Sequence, residues 1–111
     1  MRRHLAAAVL AVGLTQFAPQ CAPRPQTTAA VTHQSRWDRI AHCESGGQWQ
    51  HRPVTNRFGT FSGGLMIWHK AWDAYGGKQF ARYPYLASKA QQIVVAERIW
   101  ADRGSRAWQC K

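Results

Sequence analysis

Only five side chains in this 111-residue chain carry a carboxylate: Asp38, Glu44, Asp73, Glu97 and Asp102. One of them is placed unlike the rest. In Trp37-Asp38-Arg39-Ile40-Ala41-His42-Cys43-Glu44-Ser45-Gly46-Gly47-Gln48-Trp49, the residues Trp37, Ile40, Ala41 and Glu44 stand at i, i+3, i+4 and i+7. On a helix that is one face, three apolar groups followed by an acid. Ser45-Gly46-Gly47 stops the helix, because glycine accepts the left-handed backbone that a helix C-terminus commonly uses. A glutamate held there beside indole rings, partly shielded from water, suits a proton donor in general acid catalysis. The competing reading is a solvated glutamate at a frayed helix end, and helical spacing by itself does not choose between them. Asp38 falls on another face of the same helix. Asp73, Glu97 and Asp102 sit in helical contexts where ion pairing accounts for them. His42 is adjacent to Glu44 in sequence but turned away, and reads as structural.

Cysteine usage bears on the compartment. Cys21 lies in a leader-like region, which leaves Cys43 and Cys110 at opposite ends of the remaining chain. In an oxidising compartment they would form one disulfide, worth about 4 kcal/mol by loop entropy; two free thiols are the alternative. His42, His51 and His69 lack the paired spacing of a zinc motif, so neither a metal nor another cofactor is expected.

The elements that must position these groups follow from the pattern along the chain. Met1-Arg2-Arg3-His4 and the apolar run of residues 5–14 read as a secretory signal, too short to span a bilayer. A leader over residues 1–30, with its cleavage site open, a linker over 31–36 and a single domain over 37–111 are expected. Residues 37–44 form the first helix. Residues 46–64, rich in glycine and aromatic residues, suit a short hairpin. Leu65, Trp68 and Trp72 recur at helical spacing and predict a second helix over 65–75, ended by Gly76-Gly77. Ser88-Lys89-Ala90-Gln91 is a capping box that opens a third helix, striped by Ile93, Ala96, Ile99 and Trp100 and stopped by Gly104. The formal charge of +10 falls to +7 when Arg2, Arg3 and Arg24 leave with the leader. That surplus favours a polyanionic partner, although basic residues scattered without a run also describe an ordinary solvated surface.

Several ordered blocks then become recognisable: Trp37-Asp38-Arg39-Ile40-Ala41, Cys43-Glu44-Ser45-Gly46-Gly47-Gln48-Trp49, Gly63-Gly64-Leu65, Trp72-Asp73-Ala74-Tyr75-Gly76-Gly77, Leu86-Ala87-Ser88 with Gln91-Gln92-Ile93, and Ala96-Glu97-Arg98. From Trp37 to Cys110 the chain resembles the transglycosylase-like domain of the actinobacterial resuscitation-promoting factors. The resemblance implies a compact lysozyme-like domain, α+β and predominantly helical, with a short irregular or hairpin segment and one disulfide. It implies a secreted, cell-wall-associated enzyme that cleaves peptidoglycan glycan strands in wall remodelling and resuscitation from dormancy. Glu44 matches the catalytic glutamate of that family, and Cys43 and Cys110 match its disulfide.

The partners so implied are glycan strands, together with other cell-wall hydrolases. A monomer is expected, with no nucleic acid and no stable membrane insertion after signal cleavage. With no convincing second carboxylate, a lytic transglycosylase route is favoured, in which the sugar's own 6-hydroxyl closes an anhydro ring; a muramidase using a water activated elsewhere is the other route. Trp49, Phe61, Trp68 and Tyr75 are candidates to stack on sugar rings, and Ala71 lies at a substrate-holding position, while Trp72 and Trp100 read as core. Two positions depart from the family pattern. Met66 replaces a usual glutamine and Ala71 a usual threonine, which opens the alternative of a catalytically impaired glycan-binding or signalling module. A cationic protein binding nucleic acid or membranes through charge alone is the weakest reading.

Overall fold

The computed structural model describes the backbone from Thr28 to Lys111 and the side chains from Arg36 onward, so the expected leader and its cleavage site lie outside the described residues except for residues 28–30. Helix α1 spans Thr28–Ser45. It begins nine residues before the start expected at Trp37 and takes in residues 31–36, which composition alone assigns to a linker. No proline follows Pro25 until Pro53, and Ala29 and Ala30 favour helix, so nothing local breaks the register. Trp37, Ile40 and Ala41 are buried, as their spacing requires. The helix ends in paired main-chain bonds, Gly46 N–H to His42 O and Gly47 N–H to Ala41 O, both 3.0 Å, with Gly46 and Gly47 at φ 68° and 81°. That is a Schellman stop, and only glycine adopts both angles without strain.

Three short strands, β1 (Val54–Asn56), β2 (Gly59–Ser62) and β3 (Ile67–Trp68), form an antiparallel sheet in that order. The expected hairpin is β1–β2, with Val54 opposite Phe61 and Asn56 opposite Gly59. Asn56 Oδ1 accepts the Phe58 N–H at 2.8 Å and so braces the two-residue turn. The helix predicted over 65–75 is much shorter. Residues 65–66 are a turn, with Met66 at φ 46°; Ile67 and Trp68 pair with Ser62 and Phe61; and helix α2 occupies only His69–Ala74. Helical spacing of Leu65, Trp68 and Trp72 cannot report that β2 offers an edge to pair with.

Helix α3 (Lys89–Arg103) carries the capping box expected at Ser88 and Gln91, and stops at Gly104. Its fully buried residues are Gln92, Val95, Ala96 and Ile99, while Ile93 and Trp100 are only partly buried. The inward stripe is therefore rotated from the expected one and has a polar member. Gln92, fully buried, accepts the Gly64 N–H at 3.0 Å and donates to Trp49 O (2.7 Å) and Ala87 O (3.0 Å). One amide thus satisfies main-chain groups on three segments, which makes its burial tolerable. Trp37, Trp100 and Trp108 pack with ring centroids 5.0 to 5.9 Å apart, and Cys43 and Cys110 form the expected disulfide. The architecture is the mostly helical α+β domain expected of a lysozyme-like chain.

Candidate active site

Two adjoining hollows, of about 410 and about 450 Å³, share Phe58, Phe61, Arg106, Ala107 and Trp108 and make one groove. The β1–β2 hairpin builds one wall. The other is the 3-10 turn Gly104–Ala107 and the tail that follows it. Glu44, Val54, Asn56, Met66 and Gln109 complete one half; Ile67, Trp68, Ala71, Ile99 and Arg103 complete the other.

Glu44 is half-buried on the groove wall, at the last turn of α1. Its Oε1 accepts the main-chain N–H groups of Gln109 and Cys110, each at 3.1 Å. Among the described residues Oε2 makes no hydrogen bond. The tail is held in place to present these donors by the disulfide and by Trp108, whose Nε1–H donates to Leu65 O at 2.9 Å. From the other side Ser45 pins the helix end. Its hydroxyl lies 2.8 Å from Gly64 O and 3.0 Å from Ala41 O, and it accepts the Gln48 N–H. The carboxyl group is therefore oriented along one edge and open along the other.

Among the described residues no other carboxylate lines the groove. Each is engaged by a side chain elsewhere: Asp38 by Lys89 at 2.6 Å, Asp73 by Lys78 at 3.4 Å, Asp102 by the Tyr75 hydroxyl, and Glu97 by Arg36 and the Trp37 indole N–H. Chemistry in the groove has one protein acid to work with. That arrangement can donate and recover a proton, but it offers no second carboxylate as nucleophile or base.

Of the residues expected to hold substrate, Phe61, Trp68 and Ala71 line the groove with Glu44. Trp49 and Tyr75 do not. Trp49 instead covers Gly64, where a Cβ would meet its ring at 2.6 Å, and lies under Lys89. Tyr75 donates to Asp102 on the outer surface, which holds its hydroxyl proton and raises its pKa above the usual 10. Trp72 is core, as expected, its Nε1–H donating to Ala81 O. Phe58, Arg103 and Arg106 line the groove without having been singled out. The signal for Phe58 was the Asn56-Arg57-Phe58-Gly59 turn, which places an aromatic residue at a hairpin tip; nothing local marks Arg106. His69 is not among the residues that line the groove. Its Nε2 is 2.8 Å from the buried Ser62 hydroxyl and its ring stacks on Tyr83. Burial lowers its pKa below the usual 6.5, with Asp73 acting in the opposite sense.

The transglycosylase-like domain family matches residues 29–111. The chain is 42% identical over 106 residues to a resuscitation-promoting factor of Corynebacterium glutamicum, covering 94% of this chain and 49% of that protein. It is 43% identical over 83 residues to resuscitation-promoting factor RpfA of Mycobacterium tuberculosis, covering 75% of this chain and 19% of that protein. A resuscitation-promoting factor of Micrococcus luteus is 36% identical over 107 residues, covering 96% and 44%. The chain spans less than half the length of each of these relatives. Among the described residues no helix is long and apolar enough to cross a membrane.

Proposed function

The chain belongs to the transglycosylase-like domain family represented in the resuscitation-promoting factors, and from that premise we propose that it cleaves the glycan strands of peptidoglycan with Glu44 as the general acid. The observation that carries the proposal is the asymmetric carboxyl group of Glu44, with Oε1 occupied by two main-chain donors and Oε2 free in a groove that holds no other acid. Since Oε1 accepts two N–H groups, the transferable proton belongs on Oε2. It passes to the glycosidic oxygen as the bond from that oxygen to the sugar's C1 breaks. The sugar's own 6-hydroxyl then bonds to C1, closing an anhydro ring, and returns its proton to Glu44. This route needs no protein nucleophile, which agrees with the commitment of the other four carboxylates elsewhere. Phe58, Phe61 and Trp68 offer faces on which pyranose rings stack.

In this reading residues 37–111 are the catalytic domain, exported behind a signal over 1–30. The protein works as a monomer at the cell wall, in remodelling and in resuscitation from dormancy, alongside other wall hydrolases. A second reading has a specific observation behind it. Met66 and Ala71, which replace polar residues of the family pattern, both line the groove. Two missing polar contacts there would cost about 1–3 kcal/mol each where a substrate group is left unpaired, and would turn the enzyme into a binding module. Mass spectrometry of fragments released from purified peptidoglycan separates the readings. Anhydro-ended fragments from wild type, absent with Glu44→Gln, are expected. Reducing ends would mean a muramidase, and wall binding without fragments would mean a binding module.

A further inference from the structure

We propose that Arg106 reads the charge of the strand, binding a carboxylate carried by the glycan so that the groove prefers acidic strands to neutral ones of the same backbone; this rests on the glycan-cleaving reading. Arg106 lies at the seam of the groove, lining both halves. It sits on the turn Gly104–Ala107, just ahead of the two main-chain N–H groups that hold Glu44. Its one hydrogen bond among the described residues is a long one, Nε–H to Arg103 O at 3.5 Å. Among the described residues no carboxylate pairs with it. Four of the five are engaged elsewhere, and Glu44, which shares its half of the groove, forms no salt bridge with it.

The guanidinium therefore keeps its fork of donors free, in a geometry that matches a carboxylate two bonds at a time. Its surroundings favour an anion too. Arg57 covers Phe58 at 4.7 Å and Lys70 covers Trp68 at 5.7 Å, so cations border the aromatic walls on both sides. A strand can supply the carboxylate from two sources: the lactyl group of a muramoyl residue stripped of its peptide, or the stem peptide itself.

The test is binding, measured in a Glu44→Gln background so that no strand is consumed. The probes are peptide-free strands, peptide-bearing strands, the same strands with carboxyl groups amidated, and neutral chitooligosaccharide. Wild-type Arg106 is expected to prefer acidic over amidated strands by roughly tenfold or more, the scale of one charge-assisted contact. Arg106→Gln should erase that preference, lowering affinity for acidic strands several-fold more than affinity for chitooligosaccharide. Arg106→Lys should restore part of it, and added salt should shrink it. An effect on peptide-free strands assigns the lactyl carboxylate; an effect confined to peptide-bearing strands assigns the stem. Equal affinity for acidic and amidated strands, or an equal loss on acidic and neutral probes with Arg106→Gln, would overturn the inference and leave the glycan reading standing. Failure to bind any strand would overturn both.

Discussion

The chain has two glutamates, and the regions that hold them treat a carboxylate in opposite ways. In the tryptophan-rich region both Glu97 oxygens meet Arg36, at 3.1 and 3.2 Å, and Oε1 also accepts the Trp37 indole N–H at 2.6 Å. The donors are side chains with packing duties of their own: Trp37 is core, and Arg36 lies over the Trp100 ring at 4.5 Å. In the groove region Glu44 is held only by main-chain N–H groups, and only at one oxygen. Side-chain donors on every edge make a carboxylate a strut. Main-chain donors on one edge orient it and leave the other edge open to the groove.

Paired substitutions test this contrast. The largest effect expected is that of Glu44→Gln, which should lower fragment release by about 10²–10⁴-fold, the usual contribution of a positioned acid. The amide keeps an oxygen for the two N–H groups, so the thermal midpoint should barely move; a large fall would make Glu44 structural. Next, Cys110→Ser should remove about 2–5 kcal/mol of stability by chemical denaturation. Its fragment release, measured where the variant is still folded, should fall as well, because the donors to Glu44 are no longer tied. Unchanged turnover would show that the tail orients the acid without the disulfide.

Glu97→Gln should do the reverse of Glu44→Gln. Stability should drop by about 1.5 kcal/mol, the low end for a charge-assisted contact because both partners are partly exposed, while turnover per folded molecule is kept. The smallest effect concerns His69. Its pKa is lower folded than unfolded, so as pH falls through about 6.5 the unfolded chain takes up the proton first. The His69 contribution is therefore fully present above that value and is lost progressively below it, down to the folded pKa. Between pH 7 and 5 the thermal midpoint should fall further in wild type than in His69→Gln; parallel curves would exclude a role for the ring.

Much of this was legible in the residues. The buried face of α1, its glycine stop, the capping box at Ser88 and the pairing of Cys43 with Cys110 are local patterns or have one available partner. What escaped depends on contacts distant in sequence. Ile67 and Trp68 leave the helical pattern because β2 pairs with them. Gln92 is buried because Trp49, Gly64 and Ala87 converge on its amide. Trp49 and Tyr75 look like sugar platforms in a list of aromatic residues, yet one is committed to Gly64 and the other to Asp102. Arg106 and Phe58 meet only when the tail and the hairpin become opposite walls. Glu44 stood out by its neighbours along the chain; the groove around it did not.

The β1–β2 hairpin also bears on how such a domain can change over generations. At its base the Gly63 N–H donates to His51 O at 2.9 Å, and Thr55 and Thr60 join their hydroxyls across the strands. At its tip Phe58 is two-thirds exposed, and the hairpin supplies neither donor to Glu44. Residues added or lost in cross-strand pairs at that tip would move one wall of the groove and preserve strand register. The acid, its donors and the tryptophan core would be untouched. Change at the hairpin wall can therefore reshape the groove while Glu44 and its donors, which line the same hollow, stay as they are.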